Sequence, residues 1–124
     1  MRYMMLVMGN DDYQAGRPPS PQLMEEIGKL AREAQKAGTM ILSEGLKPRA
    51  TRIKVAKGKR QVTDGPFTET KEMIGGFAIF ELPSDAEALA QAQRFVDAHV
   101  KCGVQDFEME IRPLYGPEDF APKR

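Results

Sequence analysis

"RYMMLVM" (Arg2–Met8) and "FAIFEL" (Phe77–Leu82) decide the fold, because apolar residues occupy both the odd and the even positions of the first and nearly all positions of the second. Side chains on a strand alternate between faces, so a run with no polar face reads as a strand covered on both sides. Outward from the first run, Asn10-Asp11-Asp12 ends the strand and Gly16–Pro21 ("GRPPSP") forms a loop. Ser20 then offers a cap to free backbone N–H groups, and Pro21 suits the first helical position. Leu23, Ile27, Leu30, Ala34 and Ala37 recur at helical spacing, with Glu25, Glu26, Lys29, Arg32, Glu33 and Lys36 on the wet side, and Gly38 closes the helix. A strand restarts at Thr39–Leu42 and runs to about Leu46.

Outward from the second run, Gly75-Gly76 opens the strand, and Pro83 and Ser84 end it. Ser84-Asp85-Ala86-Glu87 has the capping-box pattern for a second helix. Leu89, Ala92, Phe95, Val96 and Val100 are its expected buried stripe, and Gly103 its end. Phe107–Leu114 ("FEMEIRPL") alternates cleanly, with Phe107, Met109 and Ile111 on one face and Glu108, Glu110 and Arg112 on the other. Between the two units, Ile53 and Val55 alternate with Arg52 and Lys54, and Lys57-Gly58-Lys59 reads as a hairpin tip. Strand–helix–strand occurs twice around an inserted hairpin. This order predicts an α+β, ferredoxin-like split βαβ fold with a β-hairpin insertion. In that topology the first and third main strands lie in the middle, and these are the two runs that read as buried on both faces. Both helices then cover one side of the sheet. The other face keeps apolar groups that no helix remains to cover, and bare apolar faces of that kind are rare on monomers. A homodimer packed sheet to sheet is the expectation.

The 124 residues fit one domain, 1–124, with about 116–124 a polar, Pro-containing, loosely held tail. Apolar residues make up 41% and charged residues 29%, and Lys+Arg and Asp+Glu balance at 18 each. No global field therefore draws in nucleic acid or an anionic membrane. Cys102 is the single cysteine, which rules out an internal disulfide and suits a reducing compartment. The longest apolar run, Met4–Met8, is far too short for a membrane span, and the amino terminus does not read as a signal peptide. The expected location is the cytoplasm.

"DGPFTETKE" (Asp64–Glu72) is the richest stretch in chemistry. Its first half is a turn: Asp64 bonds local backbone, Gly65 and Pro66 set the dihedrals, and Phe67 plugs the core. Its second half, with Glu44 from a strand end, can gather Asp64, Glu69 and Glu72 around Lys71. Close carboxylates push their pKa values apart, which suits one of them to acid–base work. Asp64 and Glu72 are favoured over Glu69. An oxygen-only set suits Mg²⁺ or Mn²⁺ rather than zinc, and no metal site or cofactor is expected. His99, the only histidine, reads first as a half-buried ring satisfied by a backbone carbonyl and second as an acid–base group. Its place near a helix C-terminus favours the protonated form. Arg112 offers a planar fork to an anionic ligand, and Tyr3 and Tyr115 can border the same region. Seven basic residues and no acid lie between Lys47 and Arg60. Without interleaved aromatics this reads as a solvated edge rather than a nucleic-acid surface. The acidic face of Phe107–Ile111 (Glu108, Glu110) is a candidate to receive that hairpin within a dimer.

At "DGPFTETKEMIGGF" the sequence resembles the DGPF group of the YCII-related proteins. The resemblance extends through Tyr3-Met4, Ala37-Gly38, Glu44-Gly45-Leu46, Val62-Thr63 and Glu110-Ile111-Arg112-Pro113, from Met1 to about Phe120. It implies a dimeric ferredoxin-like α/β barrel and a small-molecule enzyme or ligand-binding protein of undefined reaction. One branch of the family has a proposed His–Asp pair with its His near the start of the first helix. Here Gln22, Leu23 and Met24 occupy that place, so the pair does not transfer. Members of the DGPF group also occur beside alternative sigma factors, which implies a non-catalytic regulatory role as the competing reading.

Overall fold

The computed structural model describes residues 1–65 and 73–120. Its elements in chain order are β1 (Arg2–Met8), α1 (Asp11–Gln14), α2 (Pro21–Ala37), β2 (Met40–Gly45), β3 (Thr51–Ala56), β4 (Lys59–Asp64), β5 (Ile74–Glu81), α3 (Asp85–Lys101) and β6 (Met109–Pro113), with a 3₁₀ turn at Pro117–Phe120. Four strands form one antiparallel sheet in the order β2-β5-β1-β6, and β3-β4 form a separate two-stranded sheet. The two strands without a polar face, β1 and β5, hold the centre. The α+β arrangement is that of a split βαβ fold.

The local signals act as their chemistry dictates. Ser20 Oγ accepts the N–H of Leu23 at 3.2 Å, Pro21 opens α2, and Gly38 closes it at φ 75°. Ser84 Oγ accepts the N–H of Glu87 at 3.2 Å to start α3. The hairpin turns at Lys57 (φ 52°) and Gly58 (φ 76°), the left-handed pair that matches the twist of a two-residue connection.

The core lies between one face of the sheet and both helices. Tyr3 and Met5 of β1 and Phe80 of β5 pack with Ala34 of α2 and with Ala88 and Ala92 of α3. The buried side of α3 differs from the expected stripe. Ala88, Ala92, Ala98 and His99 are buried, whereas Leu89 and Val100 are 53% and 63% exposed. The physical reason is closeness: Ala88 and Ala92 let the helix backbone approach the strands, and this rotates the larger Leu89 outward. Ala37 is likewise exposed, while Leu23 and Ala34 are buried. On the other face, strand alternation places Met4, Leu6 and Met8 beside Phe77 and Ile79 of β5 and Leu42 of β2. No described helix covers them. Among the described residues no helix is long and apolar enough to cross a membrane.

α1 was not foreseen as a helix. Asn10 caps it by accepting the N–H of Tyr13 at 2.8 Å, with Asp11 and Asp12 in the first turn.

Candidate functional site

Beyond the tight packing around Ala88, α2 and α3 stand away from the sheet and enclose a cleft of about 1010 Å³. Its walls are largely apolar and include Met5, Leu23, Ile27, Phe80, Phe95 and Phe107. Its mouth carries Asp11, Asp12, Tyr13 and Arg17 from the α1 segment, and Asp106 from the loop after α3. Arg17 and Asp12 pair at 2.7 Å across that rim.

His99 lines the cleft and is 8% exposed. It lies four residues after Phe95, so one helical turn brings Nδ1 to 2.8 Å from the Phe95 carbonyl. A carbonyl only accepts, so Nδ1 carries the hydrogen and Nε2 of the neutral ring is the acceptor. The ring stacks on Phe107 at 4.0 Å between centroids and tilts against Phe95 at 4.7 Å. Nε2 has no hydrogen-bond partner among the described residues, yet no buried side-chain nitrogen or oxygen there is unsatisfied. Nε2 therefore keeps accessible surface.

Burial lowers the His99 pKa below the ordinary histidine value, and the Phe95 carbonyl opposes this only in part. The helix-terminus argument pointed the other way. Desolvation by the aromatic walls outweighs it here. The neutral ring is thus favoured near pH 7, with a lone pair on Nε2 able to take a proton.

The other sequence-derived candidates are spread more widely. Glu44 borders the cleft mouth. It pairs with Phe77, however, alternate to the Ser43–Ala78 pair, so its side chain lies on the sheet face opposite Met5 and the helices. Asp64 ends the hairpin, where Thr51 Oγ1 donates to its Oδ1 at 2.9 Å, and it does not border the cleft. Arg112 is exposed and pairs with Met4 on the open face. Tyr3 is 1% exposed in the core. Its hydroxyl donates to Asp85 Oδ1 at 2.6 Å, and that bond, with burial and the carboxylate charge, pushes its pKa to about 12. It ties the central strand to the start of α3. Tyr115 is exposed against Phe120. Phe67, Glu69, Lys71 and Glu72 lie outside the described residues.

Sequence reasoning missed Tyr13. Its ring packs over the backbone at Gly9 and Gly75, where an added Cβ would come within 2.9 and 3.3 Å of ring carbons. Its hydroxyl donates to the Leu46 carbonyl at 2.9 Å and the Ile74 carbonyl at 3.3 Å. This seats α1 across the ends of β2 and β5 at the cleft mouth. The available signal was Asn10 before Asp11-Asp12, a helix-start pattern read only as the end of a strand.

The YCII-related domain pattern matches residues 1–108. The chain belongs to the YCII-related domain family. A family relative in Rhizobium meliloti (strain 1021), itself uncharacterised, is 32% identical over 95 residues, covering 75% of this chain and 73% of that protein. Among solved structures, 5-chloro-2-hydroxyhydroquinone dehydrochlorinase of Burkholderia phenoliruptrix AC1100, in complex with 2,5-dihydroxybenzoquinone, aligns with a TM-score of 0.45 and 15% identity. That alignment covers 95% of this chain and 98% of the other.

Proposed function

We propose that this YCII-related protein holds a small, mainly apolar molecule in the cleft between its helices and sheet, with His99 as the proton-accepting group. The observation that carries the reading is the His99 ring. Its Nδ1 is committed to the Phe95 carbonyl, its faces to Phe107 and Phe95, and its Nε2 is left as an acceptor in an apolar surround. Such a site suits a flat ligand that brings one weakly acidic O–H to Nε2. The walls supply burial and stacking, and the histidine supplies orientation and proton transfer. In this proposal the acid–base role is given to His99, and Glu69, Lys71 and Glu72 lie outside the described residues.

Calorimetric titration with a panel of substituted phenols tests this. Binding at pH 7.5 that weakens about tenfold in His99→Phe, from loss of one hydrogen bond to the ligand, is expected. Equal binding by wild type and variant would remove His99 from the reading, and no binding by any phenol would remove the ligand class.

The active form in this proposal is a homodimer, with the open sheet faces packed together. Met4, Phe77, Ile79 and Leu42 provide the apolar surface for that contact.

A further inference from the structure

The charges that border the cleft are uneven. Among the described residues Asp11, Asp12, Glu44 and Asp106 line it against one permanent cation, Arg17. Arg17 is held by Asp12 at 2.7 Å, and the Glu44 side chain lies on the other face of the sheet. Asp11 and Asp106 are left. Both are exposed, and no ion pair among the described residues engages either. The cations that neighbour cleft residues along the chain do not offset them. Lys29, Arg94 and Lys101 pair with acids outside the cleft, and Arg32 and Lys47 do not line it. The end of α3 adds charge of the same sign. Its aligned peptide dipoles leave a partial negative charge at the carboxyl terminus, which opens on the cleft at Cys102 and Gly103.

Each of the two acids comes with a ring. Asp11 lies two residues before Tyr13, and Asp106 directly precedes Phe107, whose ring stacks on His99. All four residues line the cleft. A cation set over an aromatic face and beside a carboxylate is attracted by both. His99 points to a ligand independently. It is 8% exposed, and its acceptor Nε2 has no hydrogen-bond partner among the described residues while its ring borders the cleft. The cleft thus has two unlike polar features joined by apolar walls: a buried neutral acceptor and an exposed anionic mouth with aromatic sides.

We propose that the ligand of this cleft is a cationic phenol-like molecule, with a weakly acidic O–H at one end of an aromatic ring and an ammonium at the other. The O–H donates to His99 Nε2, the ring lies against the apolar walls, and the ammonium stays at the mouth beside Asp11 and Asp106. This rests on the histidine-centred reading above and adds the charge of the ligand. An anion of the same shape meets repulsion at the mouth and finds no unpaired cation lining the cleft among the described residues.

Calorimetric titration at pH 7.5 with tyramine, 4-ethylphenol and 4-hydroxyphenylacetate tests it, since the three differ mainly in the charge at one end. At low salt tyramine should bind about fivefold tighter than 4-ethylphenol, and 4-hydroxyphenylacetate about fivefold weaker, as expected for exposed charges. At about 0.5 M salt both gaps should shrink to within about twofold, because screening removes exposed-charge interactions. Asp11→Asn with Asp106→Asn should narrow the tyramine preference to within about twofold at low salt, whereas His99→Phe should weaken all three ligands and keep the preference. Equal binding of the three ligands by wild type, or tighter binding of the anion, would overturn the cationic ligand while leaving the histidine-centred reading in place. A tyramine preference that survives in the double Asn variant would overturn the assignment to these two acids. Binding of none of the three would overturn both this inference and the reading on which it rests.

Discussion

His99 is held by two separable kinds of contact, and replacing it in two ways measures each. His99→Phe keeps a flat ring between Phe107 and Phe95 and deletes the bond from Nδ1 to the Phe95 carbonyl. That carbonyl lies one helical turn back and is already an acceptor in the helix ladder, so the change strands no buried donor. The loss should stay within about 1 kcal/mol at pH 7.5. His99→Ala also deletes the ring and both aromatic contacts, and should cost about 3 kcal/mol. The pH dependence has a definite sign. Folding lowers the His99 pKa, so the unfolded chain binds the proton more readily. The stability that the neutral ring contributes is complete above the ordinary value of 6.5 and is lost as pH falls from there through the lower folded value. Urea unfolding of wild type, His99→Phe and His99→Ala at a series of pH values reads all three effects. The wild type should lose stability relative to His99→Phe on acidification below pH 6.5. A constant difference between the two across that window would show that the cleft does not hold His99 neutral. A Phe variant as unstable as the Ala variant would show that the polar bond, and not the ring, holds this end of α3.

Gly9→Ala should destabilise by about 1–3 kcal/mol in urea titrations, because its Cβ would lie 2.9 Å from the Tyr13 ring and 3.2 Å from the Met73 carbonyl. Gly45→Ala, with open space at that position, should stay within about 0.5 kcal/mol of wild type. Tyr3 should ionise only near pH 12 in an ultraviolet absorbance titration. Asp85→Asn should bring that titration down toward the ordinary tyrosine value, and an unchanged curve would remove the carboxylate as its main cause. Asp64→Ala should lower the unfolding free energy by no more than about 1 kcal/mol, since its bond from Thr51 closes an exposed hairpin. A larger loss would mean that the hairpin is built into the folded body of the isolated chain.

What the sequence determined on its own was local or followed from alternation. Ser20, Pro21 and Gly38 bound α2 because caps act through the backbone groups beside them. The two runs without a polar face took the central places, because a central strand is paired along both edges and its side chains are flanked by neighbouring strands on each side. The element order then left one topology. The site depended on distances that no local pattern contains. Two apolar stripes were available on α3, and periodicity cannot choose between them. Close approach through Ala88 and Ala92 chose the one that carries His99 into the cleft. The same rotation reversed the expected charge preference of that histidine, since burial among aromatic rings is a tertiary property. Glu44 was expected to join the Asp64–Glu72 carboxylates, and a single residue of strand register put its side chain on the sheet face opposite the helices. Tyr13 could be weighed only once Gly9, Gly75 and the carbonyls of Leu46 and Ile74 had met around it, and that meeting of three separate segments is a product of the fold.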